Sequence, residues 1–349
     1  MLYRRLLLAR KNGQGGGIID TSNYLTIEAL EDRLKVSLSI NDCEYCIDGD
    51  GMWKTLYAET NTPAINTGQT ISFRGNLIPS LSNGVGTFTI NKYHNLKGNC
   101  MSLLFGDEAK GKTDLSGYDN AFKVLFSGNT LLYKVASDFL PATTLAEGCY
   151  HNMFRDCTSL ITAPSLPAIT LAIGCYQGMF SYCSKLVNAP ELHATTLVGR
   201  CYRNMFTYCS SLSNITMLAT DISANGCLVA WVANVSLTGT FNKNAAMNDL
   251  PIGVSGIPEG WTVFDYGTLI TFTIDDIEYQ AEEGMTWADW VESGYNTDKL
   301  FVFDDHIVNY EQYSQNSLKF VQINYNSVLK TDIIVKGAEY EYYIPGSGT

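Results

Sequence analysis

The sequence predicts a mixed, mainly β chain in which a short solenoid of 26-residue repeats stands between a β-sandwich-like N-terminal domain and a small C-terminal α+β module. Two observations carry this. The segments CYHNMFRDCTSL, CYQGMFSYCSKL and CYRNMFTYCSSL begin at Cys149, Cys175 and Cys201, a fixed step of 26 residues. On either side of them, apolar residues alternate with polar ones, the period of a half-buried strand. The expected division is a flexible basic arm over 1–17, a β-rich domain over 18–120, the repeats with degenerate ends over 121–260, and an acidic β-rich module over 261–349.

The arm carries Arg4, Arg5, Arg10 and Lys11 without an acidic residue, and GQGGG at Gly13–Gly17 reads as a flexible joint. The apolar run in MLYRRLLLAR is too short for a secretory h-region, so no leader is expected. No stretch of eighteen apolar residues occurs, so no membrane span is expected.

In the β-rich domain, LKVSLSI alternates from Leu34 to Ile40. EYCIDGDGMWKTL follows as a hairpin turning at its Asp-Gly dipeptides. TISFRGN and GVGTFTI are further strands, and EALEDRL, Glu28 to Leu34, is the one helix-like stretch. Short strands punctuated by Gly, Asn and Pro suggest a sandwich or barrel.

The repeats align in columns. Cys149, Cys175, Cys201 and Cys227 form one; Cys157, Cys183 and Cys209 another. Met153, Met179 and Met205, then Phe154, Phe180 and Phe206, then Leu160, Leu186 and Leu212 complete the expected core. Cys149 and Met153 stand at i,i+4, as do Tyr150 and Phe154, which predicts one side of a short helix. TSLITAP then reads as a short strand stopped by Pro164. One helical turn or two plus one strand per copy is a leucine-rich-repeat coil. A single 26-residue copy cannot enclose a core; stacked copies can. The ends are degenerate: DNAFKVLFSGNTLL keeps Phe122 and Phe126 but no cysteine, and after Cys227 Trp231 takes the methionine column.

Three readings stand for the paired cysteines: small buried hydrophobes in ladders, disulfides, or metal ligands. The C-x7-C spacing fits no usual zinc pattern, which favours packing. Cys43 and Cys46 in CEYC lack the strand-to-helix setting of a redox pair or a second pair for zinc, and with Cys100 they read as structural.

In the C-terminal module, TLITFTIDDIEYQA alternates well, and FVFDDHIVNY, KFVQINY and TDIIVKGAEYEYYI read as further strands. TWADWVESGY, Thr286 to Tyr295, reads as a short helix capped by Thr286, with Trp287 and Trp290 on one side. From Asp265 onward there are fifteen acidic residues against four basic, a net of −11.

A formal net charge of −12 disfavours nucleic acid as a partner. Gly106–Thr113, GDEAKGKT, matches the phosphate-loop pattern, but Asp114 and a Gly-containing DLSGYDNAF follow where a long helix is required. It reads as a surface loop. His94, His151, His193 and His306 show no ligand spacing, Asp48 and Asp50 in DGDG lack the rest of an EF-hand loop, and no G-x-S-x-G occurs. A non-enzymatic protein without cofactor, metal or catalytic residues is therefore expected. The variable positions between the framework columns are the candidate ligand contacts: His151, Asn152 and Arg155, beside Asp156, in the first copy; Gln177 and Tyr182 in the second; Arg203, Asn204 and Tyr208 in the third. Exposed Tyr, Asn and Arg suit glycan or protein contacts.

LPATTLAEGCYHNMFRDCTSL and its copies resemble the BspA-type leucine-rich repeat of gut Bacteroides-like bacteria and their phages, strongly over 139–212. YLTIEALED, EYCIDGDGMW, TISFRGN and GNCMSLLFG resemble the domain that precedes such repeats, and FTIDDIEYQAEEGMTWADWVES a module that follows them. The resemblance implies host adhesion or a phage tail or fibre role, in a virion or on a bacterial surface. Its implied partners are a host envelope glycan or protein, or other virion or surface proteins. A homo-oligomer is compatible with it, although no coiled-coil heptads enforce one. The alternative is an architectural spacer without its own ligand; a hydrolase is more remote.

Overall fold

Strands form where the alternation puts every second residue inside. The computed structural model describes residues 19–266 with their side chains and, beyond them, the backbone of strand segments 269–274, 277–282, 301–303, 306–308 and 332–333. The basic arm 1–17 and the helix expected over Thr286–Tyr295 lie outside the described residues.

The first strands are β1 (Leu25–Ala29), β2 (Val36–Leu38), β3 (Cys43–Ile47), β4 (Lys54–Leu56), β5 (Thr70–Arg74), β6 (Phe88–Ile90), β7 (His94–Lys97) and β8 (Leu132–Val135). Six of them make one mixed sheet in the order β4-β3-β5-β1-β7-β8, with β7 and β8 parallel; β2 and β6 pair separately. LKVSLSI buries Val36 and Leu38 and turns Ser37 outward. The β3–β4 hairpin turns through Asp48, Gly49 and Gly51, all at positive φ, which is why Asp and Gly stand there. EALEDRL forms no helix: Ala29 closes β1, and the chain turns through Arg33 at φ 62°. MSLLF, which suits a strand ahead of a phosphate loop, instead holds α1 (Ser102–Phe105), the one α-helix among the described residues.

The repeats take a conformation that is neither helix nor sheet. From Gly148 to Cys157, backbone N–H groups alternate in direction. Cys149, His151, Met153, Arg155 and Cys157 donate to the carbonyl three residues back, as in successive tight turns. Gly148, Tyr150, Asn152, Phe154 and Asp156 donate to Ile173, Cys175, Gln177, Met179 and Ser181 of the next copy, at 2.8–3.0 Å. The second and third copies repeat the pattern. Every fourth residue stands in the left-handed region to make it possible: Gly148, Asn152 and Asp156; Gly174, Gly178 and Tyr182; Arg200, Asn204 and Tyr208. A left-handed residue every four positions cannot propagate an α-helix.

Identical side chains therefore stack. Phe126, Phe154, Phe180 and Phe206 lie face to face at 5.7–5.8 Å between centroids and within 10° of parallel. Beside them Phe122, Tyr150, Tyr176 and Tyr202 form a second row at 5.7–6.2 Å. All fifteen residues expected in the core, from Cys149 and Met153 through Leu160, Leu186 and Leu212, are fully buried. Burying one such Leu or Phe side chain contributes about 1.5–3 kcal/mol.

Both ends of the stack are closed. At the first copy, Val85 N–H donates to Ala121 O at 3.1 Å and Phe88 N–H to Leu125 O at 2.8 Å, while Phe88 stacks on Phe126 at 5.5 Å. Buried Asn129 donates to Phe88 O at 2.7 Å and accepts from Ile90 N–H. At the last copy, the segment 251–257 supplies acceptors that a further copy would have offered. Ser255 Oγ takes Ala230 N–H at 3.0 Å, Val254 O takes Val232 N–H at 3.2 Å, and Gly256 O takes the Trp231 indole at 2.9 Å.

These observations overturn the leucine-rich-repeat solenoid expected for 121–260, and with it the BspA-type likeness and the phage-tail description drawn from it. A coil of that kind adds a strand to one continuous curved parallel sheet and sets a helix behind it. Here the sheets are separate and none is curled or closed. Segments 145–160, 171–186 and 197–212 hold turns only, and neighbouring copies touch as strands only through single bridges such as Asn188 to Asn214. The sandwich expected at the N-terminus is likewise one six-stranded sheet plus a two-stranded pair.

The chain divides into two units, Met1–Thr240 with Asp249–Thr262, and Phe241–Asn248 with Val263–Thr349. The first also contains β9 (Asn214–Met217). In the second, Lys243 pairs with Asp265. Strands β10 (Leu269–Ile274) and β11 (Ile277–Glu282) form an antiparallel hairpin, with β14 (Asp332–Ile333) parallel to β10; β12 (Phe301–Phe303) and β13 (His306–Val308) pair antiparallel. The alternation of TLITFTIDDIEYQA thus forms strands, and the two pair with each other.

His94 is fully buried on β7. Its Nδ1–H donates to Lys92 O at 2.8 Å, and its Nε2 has no partner among the described residues. Burial holds its pKa down to about 4. The folded chain keeps the ring neutral below pH 6.5, where the unfolded chain protonates it, so stability is complete above about 6.5 and falls toward pH 4. The expected loss from this group is about 3 kcal/mol, read as a drop in urea midpoint between pH 7 and pH 4.5. His94→Gln should flatten that drop; an unchanged pH profile would contradict it.

Candidate functional site

The left-handed backbone sorts the candidate residues into rows along the turn face. His151, Gln177 and Arg203 share one row, preceded by Lys123. His151 is half-buried, and burial followed by the charges of Lys123 and Arg155 holds its imidazole down to about 4, so it presents a neutral ring at pH 7. Asn152 and Asn204 belong to the next row with Gly178 between them, all at φ 54–62°. Asn tolerates this conformation better than other side-chain-bearing residues, so their first role is in the backbone rather than in ligand contact.

The third row is different. Its members are Gly128, Asp156, Tyr182, Tyr208 and Asn234, at φ 59–78°. Gly, Asp and Asn are the residues this conformation favours. Tyrosine there is strained by roughly 1–2 kcal/mol. Yet Tyr182 and Tyr208 occupy successive copies, 37% and 47% exposed, stacked at 4.7 Å and 7° from parallel. Tyr182 N–H donates to Thr207 O at 2.8 Å and Tyr208 N–H to Ala233 O at 2.7 Å, so both rings ride on a fixed backbone. The Arg155 guanidinium lies 5.6 Å from the Tyr182 ring centre, and its Nε is 3.2 Å from Asp156 Oδ2. Arg155, Tyr182 and Tyr208 are thus brought together, while Asn152, Asn204, His151, Gln177 and Arg203 lie on parallel rows.

All ten cysteines are free and buried. Cys157, Cys183 and Cys209 each donate Sγ–H to the carbonyl of a phenylalanine in the preceding copy, Phe126, Phe154 and Phe180, at 3.0–3.3 Å. Burial pushes the thiols up: Cys149, Cys201 and Cys209 to about 12, Cys46 to about 11. A thiol held protonated neither attacks nor ligates at neutral pH. These sulfurs pin one copy to the next. The CEYC pair behaves alike, with Cys46 Sγ–H donating to Asp50 at 3.1 Å.

The other motifs are also absorbed by the fold. In GDEAKGKT, Asp107 is tied to Arg74 at 2.5 Å and to Tyr24 Oη at 3.0 Å, Lys112 lies over the Phe105 ring, and Thr113 O accepts from Thr143 and Thr144. In DGDG, Asp48 accepts from Thr70 N–H and Gln69, and Asp50 accepts from Met52 N–H. No group of three metal-ligating side chains occurs among the described residues.

Comparison with known proteins finds no match: no family model, no curated protein and no solved structure is similar to this chain.

Two substitutions check the row geometry. A Cβ on Gly178 would stand 2.1 Å from Asn152 Oδ1, at φ +62°. Gly178→Ala should cost about 1–2 kcal/mol in urea unfolding, and less in an Asn152→Gly background; purely additive costs would refute the contact. Tyr150 and Tyr176 have buried hydroxyls without a hydrogen-bond partner among the described residues, and Phe122 occupies the same row. Removing a buried unpaired hydroxyl relieves roughly 1 kcal/mol, so Tyr176→Phe should be neutral or stabilising by thermal melt.

Proposed function

We propose that this chain is a non-enzymatic binding protein whose turn face recognises a cell-envelope glycan or protein through Arg155, Tyr182 and Tyr208. The observation that carries this is the choice of tyrosine, twice and solvent-exposed, in a row whose backbone favours Gly, Asp or Asn. Packing does not call for it, because the rings lie outside the core. Sparsely populated backbone conformations held by bulky residues cluster at ligand-contacting sites. Tyrosine supplies rigid amphipathic contact area at low entropic cost, and an arginine beside it adds a directional donor set.

The test separates binding from stability. Replacing both tyrosines by the residue the backbone prefers, in a Tyr182→Asn/Tyr208→Asn variant, should leave the urea midpoint unchanged or raise it. The same variant should lower binding of fluorescently labelled full chain to envelope preparations at least tenfold. Wild-type levels of binding by the variant would move recognition elsewhere. A wild-type chain that binds no envelope fraction would favour the spacer.

A further inference from the structure

We infer that the outer end of the tyrosine row is a one-ring subsite for a neutral hexopyranose, stacked on Tyr208 and hydrogen-bonded by Asn234; this rests on the binding role proposed above. The two rings of the row cover each other on one side. Tyr182 has Arg155 near it and Tyr208 on its other side. Tyr208 has Tyr182 against one face, while the row continues past it with Asn234, which brings no ring. Tyr208 is accordingly the more exposed of the pair, and Asn234 is exposed as well.

A second observation points to the same place. Asp156, Tyr182 and Tyr208 each donate their backbone N–H to the next copy. Asn234 is the next member, and the capping segment 251–257 takes the N–H groups of Ala230 and Val232 but not that of Asn234. Its N–H has no acceptor among the described residues, and its side-chain amide adds two donors and an acceptor. An open aromatic face beside unspent amide groups matches a sugar ring, which offers a flat face of polarised C–H bonds to the negative π-surface and hydroxyls at its rim.

The charge distribution narrows the class. Arg155 lies against Tyr182, in the first copy, and Asn234, the next member of the row after Tyr208, carries no charge. A neutral pyranose fits this better than an anionic sugar. The ring would occupy the position of the next aromatic in the row, at the 4.7 Å repeat that Tyr182 and Tyr208 already keep.

The experiment uses the full chain with methyl β-glucopyranoside, methyl β-galactopyranoside and their oligomers as probes, followed by NMR of the tyrosine ring resonances and by an immobilised glycan array. Saturable shifts of the Tyr208 signals are expected, with affinity falling at least tenfold in Tyr208→Ala and several-fold in Asn234→Gly, which keeps the left-handed backbone. Tyr208→Phe should retain binding, and Tyr182→Asn should weaken it less than Tyr208→Ala. Glycan binding undiminished in Tyr208→Ala would overturn the subsite while leaving the chain a binding protein. Stronger shifts with N-acetyltyrosinamide than with any glycoside would overturn the ligand class and point to a protein partner. Absence of binding to every glycan, with envelope binding retained, would also overturn the subsite alone.

Discussion

The structure depends on the alternation of backbone N–H direction within each copy. An N–H that serves its own turn is followed by one that serves the next copy, so each 26-residue segment is bonded both to itself and to its neighbour. That requires a left-handed residue at every fourth position of the turn region, and it sets the stacked phenylalanines 5.7–5.8 Å apart between ring centres. Stacked phenylalanines, thiols bonded to the preceding copy, and closed ends all follow. A stack built this way leaves a row of carbonyls at one end and a row of N–H groups at the other, and buried polar groups left unpaired are costly. The segment Val85–Phe88 answers the first, and 251–257 takes the N–H groups of Ala230 and Val232 at the second.

The two tyrosine rows show one geometry used for different ends. Inside, Tyr150, Tyr176 and Tyr202 fill volume, and two of their hydroxyls find no partner among the described residues, a cost the ring burial offsets. Outside, Tyr182 and Tyr208 fill no volume, and their conformation is a cost rather than a gain. The sulfurs belong with the inner row. The carbonyl bonds of Cys157, Cys183 and Cys209 use the thiol proton, and burial keeps that proton in place.

The 26-residue columns were legible because a residue buried against its own copy must recur at the same step, and Cys149, Met153, Phe154 and Leu160 with their counterparts are the buried ones. Strand alternation at Leu34–Ile40 and the Asp-Gly turn at Asp48–Gly51 were legible for equally local reasons. No helix forms over Cys149–Phe154. An i,i+4 pair reports that two side chains share a side, and a run of tight turns satisfies that as well as a helix does. The corrective signal was present in Asn152, Gly178 and Asn204, three residues that tolerate left-handed backbone, recurring in register. The leucine-rich-repeat coil falls with the helix, and the motif residues behind the family likeness report what is buried and not which hydrogen bonds enclose it. The candidate contacts were legible as variable positions, but not the division among them. Only the backbone separates Asn152 and Asn204, placed where conformation asks for them, from Tyr182 and Tyr208, placed against it.

That last distinction bears on how a repeat protein acquires specificity. Rows of equivalent positions are interchangeable as long as each residue suits the backbone, and Gly128, Asp156 and Asn234 suit it. A bulky residue in such a row trades local strain for a ring held in a known place, at a known angle, on a framework whose hydrogen bonds are already complete. Two consecutive rings hold each other, so the second needs less ordering than the first when a ligand arrives. The row then ends at Asn234 with one aromatic face unused and one amide unpaired among the described residues. The regularity that makes the core self-complementary is what leaves its last exposed member incomplete, and incompleteness at a rigid, regular edge is what a ligand ring can satisfy.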